Sequence, residues 1–192
     1  MSALPAESEP EFVVRLPGRP LTLKDVTKLA AGDELHRYEL ADGTLIVIPP
    51  ADAEHAALIT MLIVWLCTHG YATDRVLATP GMRTEGSASG RIPDIAVIRS
   101  PARRGVIWLD PAEVHLVIEI VSKGSEIIDR AIKPVEYARA GIPHFWRIER
   151  RGASTTVHRY SLGADEQGAP TYLSHQATLL DELLAGDPPP LS

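Results

Sequence analysis

Cysteine is almost absent from this 192-residue chain: Cys67 stands alone and can form no internal disulfide, so the fold must be held by its core. Lysine is scarce too. Only Lys24, Lys28, Lys123 and Lys133 are present, so chemistry that needs an ammonium group has few candidates. The longest apolar run, residues 56–67, spans about twelve residues, whereas a membrane helix needs roughly twenty. The first ten residues lack the basic start and apolar stretch of a secretory signal, which predicts a cytoplasmic protein. A basic surplus is also missing. The formal net charge of −6 opposes non-specific coating of a polyanion. Neither a glycine-rich nucleotide loop nor a G-x-S-x-G elbow occurs, and His115 and His144 are too scattered to form a zinc set.

What is present is ordinary for a folded enzyme or binding module: 45% hydrophobic and 23% charged residues. Length argues for one domain, expected over 21–186, between a proline-rich tail at 1–20 and a second tail at 187–192. Leu23, Val26 and Leu29 after Thr22 predict a short helix. The runs 36–40 and 45–48, joined by a turn containing Asp42-Gly43, predict a β-hairpin. Asp52 can cap a helix of about seventeen residues ending at Gly70, so apolar around its circumference that deep burial is expected. Strands are predicted at 75–78, 95–98 and 116–121, the last two apolar enough to be covered on both faces. Ile128, Ala131, Ile132, Val135 and Ala138 recur at helical spacing, but Pro134 lies inside that helix and predicts an irregularity beside Lys133. A strand at 144–148, a peripheral hairpin from 155–160 and 171–174, and a closing helix at 177–184 complete the reading.

Two carboxylates occupy costly places. Asp94 opens the run Pro93-Asp94-Ile95-Ala96-Val97-Ile98, and Glu119 lies inside Leu116-Val117-Ile118-Glu119-Ile120-Val121. A buried ionised carboxylate must be paired, hydrogen-bonded or metal-bound. An edge position or a satisfied hydrogen bond would explain either one alone. Together on neighbouring strands they point to a shared hard cation such as Mg²⁺, which prefers oxygen donors, water and phosphate.

The segments Arg91-Ile92-Pro93-Asp94-Ile95-Ala96-Val97, Val117-Ile118-Glu119-Ile120-Val121-Ser122 and Asp129 through Trp146 resemble the Uma-type restriction endonuclease family of the PD-(D/E)XK superfamily. The likeness covers roughly residues 21–160. It implies an α/β domain with a mixed sheet, a restriction-endonuclease-like core, an N-terminal β-hairpin and flanking helices. It also implies Mg²⁺- or Mn²⁺-dependent cleavage of DNA, with Asp94 and Glu119 as metal ligands. The sequence departs from the superfamily pattern at Val121, where E-x-K would have lysine. Lys133 is the first substitute and Lys123 the second; an exposed i,i+4 pair with Asp129 is the plain alternative for Lys133. Glu39, Glu54 and His55 are possible supporting residues. Glu39 could instead pair with Arg37, and His55 could be a cap or core histidine. Tyr137 and Ser122 read as packing or supporting groups.

Arg99, Arg103 and Arg104, and Arg147, Arg150 and Arg151, can make a local positive face or a solvated rim. Two further readings stand beside the nuclease: an inactive nuclease-fold module that binds DNA or a protein partner, and a structural or oligomerisation domain. A homodimer is compatible with all three.

Overall fold

The computed structural model of the protein describes residues 18–33, 36–152 and 154–188; most of the two expected tails, 1–17 and 189–192, lies outside the described residues. Helix α1 (Leu23–Ala30) opens with a capping box between Thr22 and Asp25 and buries Leu23 and Val26. The expected hairpin forms from β1 (Arg37–Ala41) and β2 (Thr44–Ile48), in register Ala41 to Thr44, with Asp42 and Gly43 both at positive φ in the turn. Asp52 caps α2 (Ala53–Thr68): its side chain accepts the His55 N–H at 2.7 Å, which fixes where the first turn points.

Chain direction and pairing then set a sheet of seven strands among the described residues. Along it lie β11 (Pro170–Ser174), β10 (Ser154–Ala164), β9 (His144–Arg151), β8 (Val114–Ile120), β6 (Ile95–Ile98) and β3 (Val76–Ala78), with β12 (Thr178–Leu179) on β10. In this sheet only the β8–β9 pair is parallel, so the connection between them must cross the sheet. α2 packs Leu58, Leu62, Trp65 and Leu66 onto one face, against Ile118 and Ile120; burying each aliphatic side chain contributes roughly 1.5–3 kcal/mol. Ala96, Val117 and Phe145 face the other way, toward Tyr137 and Ile142. The closing helix is shorter than expected, α4 (Leu180–Leu184), because Thr178 and Leu179 are drawn into pairing with β10.

Two expectations need correction. α2 is not buried all round: Val64 is 56% and Met61 39% exposed, because a helix laid on one face of a sheet has its outer side in water whatever its composition. A second sheet also forms, in order β2-β1-β5-β4-β7, from β4 (Gly81–Glu85), β5 (Ser89–Arg91) and β7 (Trp108–Leu109) beside the hairpin. β4 and β5 are short and largely polar, and β7 is only two residues long, so none shows an apolar alternation to reveal it. Gly90 lets the strands pack closely there, since a Cβ would stand 2.7 Å from Leu23 Cδ2 and 2.9 Å from Trp108 Cζ3 and force those side chains to shift.

The crossover between β8 and β9 carries the irregularity at Pro134. Residues Ile128–Ile132 form one π-helical turn, with the Lys133 N–H bonded back to the Ile128 carbonyl, and α3 (Lys133–Arg139) restarts from it. Proline has no N–H to donate, so an unbroken α-helix through 134 would lose a bond; in the first turn of a new helix that loss costs nothing. No described helix is long and apolar enough to cross a membrane.

Candidate active site

β6 and β8 are antiparallel with Ile95 opposite Ile118 and Ala96 opposite Val117, so one step further along the ladder Asp94 stands across from Glu119. Both residues are buried, Asp94 to 8% and Glu119 to 2% exposure. Each oxygen of Asp94 is engaged: Oδ1 lies 2.8 Å from His55 Nε2, and Oδ2 accepts the Ile120 N–H at 2.7 Å. Glu119 uses Oε1 twice, accepting from the Tyr137 hydroxyl at 2.5 Å and facing Lys133 Nζ at 3.0 Å, while no described residue hydrogen-bonds Oε2.

Lys133 arrives from the crossover. Its ammonium also lies 3.0 Å from Asp129 Oδ1 and 3.8 Å from Glu39 Oε1, so three carboxylates surround one cation. Ser125 holds the other Asp129 oxygen. Burial disfavours the ammonium, but Glu119, Glu39 and Asp129 outweigh it and hold the Lys133 pKa well above its ordinary value. Burial pushes Glu119 the other way, up to about 8; Lys133 opposes the rise while Asp94, Asp129 and Glu39 add to it. The Tyr137 hydroxyl is raised by burial and by Glu119.

The structure therefore brings Asp94, Glu119, Lys133, Glu39 and His55 into one cluster of contacts, and two candidates take no part in those contacts. Glu54 is 75% exposed and pairs with Arg150 at 2.8 Å. Lys123 is exposed at the rim of the cleft and makes no ion pair among the described residues. The plain alternative for Lys133 is half right: the pair with Asp129 exists, but it is buried rather than exposed. Glu39 does pair with an arginine, though with Arg91 at 3.0 Å and not Arg37, and its other oxygen accepts the Ile92 N–H at 2.9 Å. Arg91 spans Glu39 and Glu136, bonding the latter at 2.6 and 2.7 Å. Arg91 and Glu136 escaped the sequence reading as partners; their only signal was a place inside the quoted segments.

A cleft of about 420 Å³ opens over these groups, with Asp94, Glu119 and Lys133 in its wall and the apolar β2 residues Ile46 and Val47 at its side. No group of three or more His, Cys, Asp or Glu side chains among the described residues makes a ready metal cage. A hard cation such as Mg²⁺, which keeps waters and takes substrate phosphate, needs only one or two carboxylates from the protein. The donors are oxygens, Glu119 has a free one, and the acidic groups here outnumber the cations. The residues fit such an ion.

A family model described as Uma2, "Putative restriction endonuclease", matches residues 23–187. The chain belongs to the Uma2 family. Among solved structures it is similar to "a putative nuclease belonging to DUF820" from Anabaena variabilis ATCC 29413, with a TM-score of 0.58 and 18% identity over 89% of this chain and 90% of that one. At that identity the likeness shows the shared fold, the restriction-endonuclease-like α/β arrangement. No curated protein matches the chain. Within the Uma2 segment, Val121 is a buried aliphatic residue.

Proposed function

We propose that this Uma2 protein is a divalent-metal-dependent endodeoxyribonuclease, with Asp94 and Glu119 holding Mg²⁺ or Mn²⁺ and Lys133 supplying the positive charge that E-x-K would place at Val121. The observation that carries the reading is the meeting of Asp94, Glu119 and Lys133 in the wall of one cleft. Family and fold support the nuclease class; the oxygen-rich donor set supports the metal.

When bound, such a cation supplies Lewis acidity toward a phosphate oxygen and lowers the pKa of a nearby water. Lys133 keeps its proton, so its part is a fixed positive charge that offsets charge developing on the phosphate, and not that of a base. Asp129 and Tyr137 position the pair: Asp129 holds Nζ, and Tyr137 steers Oε1 of Glu119. His55, from the first turn of α2, orients Asp94 within the same cleft. One site cuts one strand at a time, which is the basis for proposing a homodimer when both strands are cleaved.

A second reading, an inactive module that binds DNA or a protein, draws on Asp94, whose two oxygens are both occupied by partners from the protein. The test is cleavage of supercoiled and linear DNA at low salt with Mg²⁺ or Mn²⁺, comparing wild type with Asp94→Ala, Glu119→Ala and Lys133→Ala. Metal-dependent nicking lost in all three variants supports the nuclease. A wild type that cuts no substrate and binds no metal sinks it in favour of the binding module.

A further inference from the structure

Glu149 is buried to 2% exposure on β9, yet three arginines converge on its single carboxylate. Arg130 reaches it with two nitrogens at 3.1 Å, Arg147 at 2.9 Å and Arg151 at 3.1 Å. Three guanidinium groups share this one carboxylate; Glu126 and Asp129 also act on Arg130, so the positive surplus is smaller than the two charges left by Glu149 alone, on a chain whose net charge is −6. Each guanidinium has five N–H donors in a planar fork, so the exposed Arg130 and Arg151 keep donors that can turn outward, while Arg147 is only 15% exposed. Arg151 is 75% and Arg130 42% exposed, and Arg147 is pinned over the Tyr160 ring at 5.5 Å. A buried anion thus presets several cations instead of neutralising them.

The cluster is continuous with the cleft. A hollow of about 370 Å³ includes Arg130 and Glu149, and Ser122 and Lys123 line both this hollow and the cleft that holds Asp94 and Glu119. Arg150 belongs to the same hollow but is neutralised by Asp52 and Glu54, at 3.6 and 2.8 Å. Glu126 lies there too, with its carboxylate turned to the Gly124 N–H at 2.8 Å.

We propose that Arg130, Arg147 and Arg151, preset by Glu149 and joined to the cleft through Lys123, form a track that grips the phosphodiester backbone of duplex DNA beside the cutting site. The proposal rests on the nuclease reading for its substrate class. It predicts binding that is independent of base sequence and falls with salt, because phosphate contacts release counterions.

The experiment is binding of fluorescent DNA duplexes of two unrelated sequences to the full chain, in EDTA so that nothing is cut, over a range of salt. Variants are Arg151→Gln, Arg130→Gln/Arg151→Gln and, as an equal charge change elsewhere, Arg103→Gln/Arg104→Gln; thermal melts check folding. The track double variant should lower the log–log salt slope by about two and weaken both duplexes alike, with Arg151→Gln lowering it by about one. The distant pair should change it less. Equal effects of the two double variants, or wild-type binding by the track variants, would overturn the proposal, as would a wild type that binds no duplex at low salt. If the track variants behave as expected but the wild type cuts nothing with Mg²⁺ or Mn²⁺, the surface stands and the nuclease reading fails.

Discussion

Lys133 Nζ lies 3.0 Å from Glu119 Oε1, on a turn whose shape is set by the residue after it. Pro134 cannot continue a regular helix, so the chain passes through one π turn before α3 begins. Asp129 and Lys133 both emerge from that stretch buried against β8, where an uninterrupted surface helix would have paired them in solvent.

Replacing Lys133 with Met removes the one ammonium shared by Glu119, Asp129 and Glu39. Metal-dependent nicking should fall by about a hundredfold or more. Without metal the variant should be less stable by roughly 3 kcal/mol, because buried carboxylates lose their counter-charge. Single-turnover nicking and urea unfolding check the two effects; wild-type nicking by the variant would exclude Lys133 from the site.

Arg91→Met should damage the fold more than the surface chemistry. Arg91 is 2% exposed between Glu39 and Glu136, so its removal strands two carboxylates and should cost about 3–5 kcal/mol of stability. Unfolding in urea gives the number directly. A loss below 1 kcal/mol would mean that the bridge between β5, β1 and α3 contributes little.

Cation binding should stabilise the wild type and not Asp94→Asn. At about a hundred times Kd a ligand of the native state adds about 2.7 kcal/mol, and the thermal midpoint should rise with metal concentration. Equal shifts in the two proteins would show that the ion binds elsewhere.

Acid should erode the contribution of Glu149. Burial raises its pKa, but Arg130, Arg147 and Arg151 overcome this and pull it down to about 2, from an ordinary 4.5. A depressed acid stabilises the fold above its unfolded pKa and loses that contribution as pH falls from about 4.5 toward about 2. The stability gap between wild type and Glu149→Gln should therefore be wide at pH 6 and narrower at pH 3, measured by urea midpoints. A gap that widens in acid would contradict the arginine cluster as drawn.

Local chemistry made much of this legible in the sequence. The Asp42-Gly43 turn, the Asp52 cap, the apolar β6 and β8 and the break at Pro134 depend on neighbours along the chain, and each appears where its residues predict. The carboxylates at Asp94 and Glu119 stood out because a charge within an apolar strand is expensive wherever the chain folds. The short strands β4, β5 and β7 could not be read, since they are held by partners from distant segments and by the close contact at Gly90.

Sequence by itself determined which residues could carry a charge into the core and where the backbone must bend, because burial cost and proline's missing N–H are local properties. Tertiary structure alone decided who meets whom. Arg91 between Glu39 and Glu136, Lys133 against Glu119 and Glu39, Glu54 on Arg150 instead of in the site, and Arg130 on Glu149 all follow from strand register and from the crossover above the sheet, whereas Arg147 and Arg151 stand two residues to either side of Glu149 on β9. Long side chains choose partners within a few ångströms in space, and sequence distance does not encode that proximity.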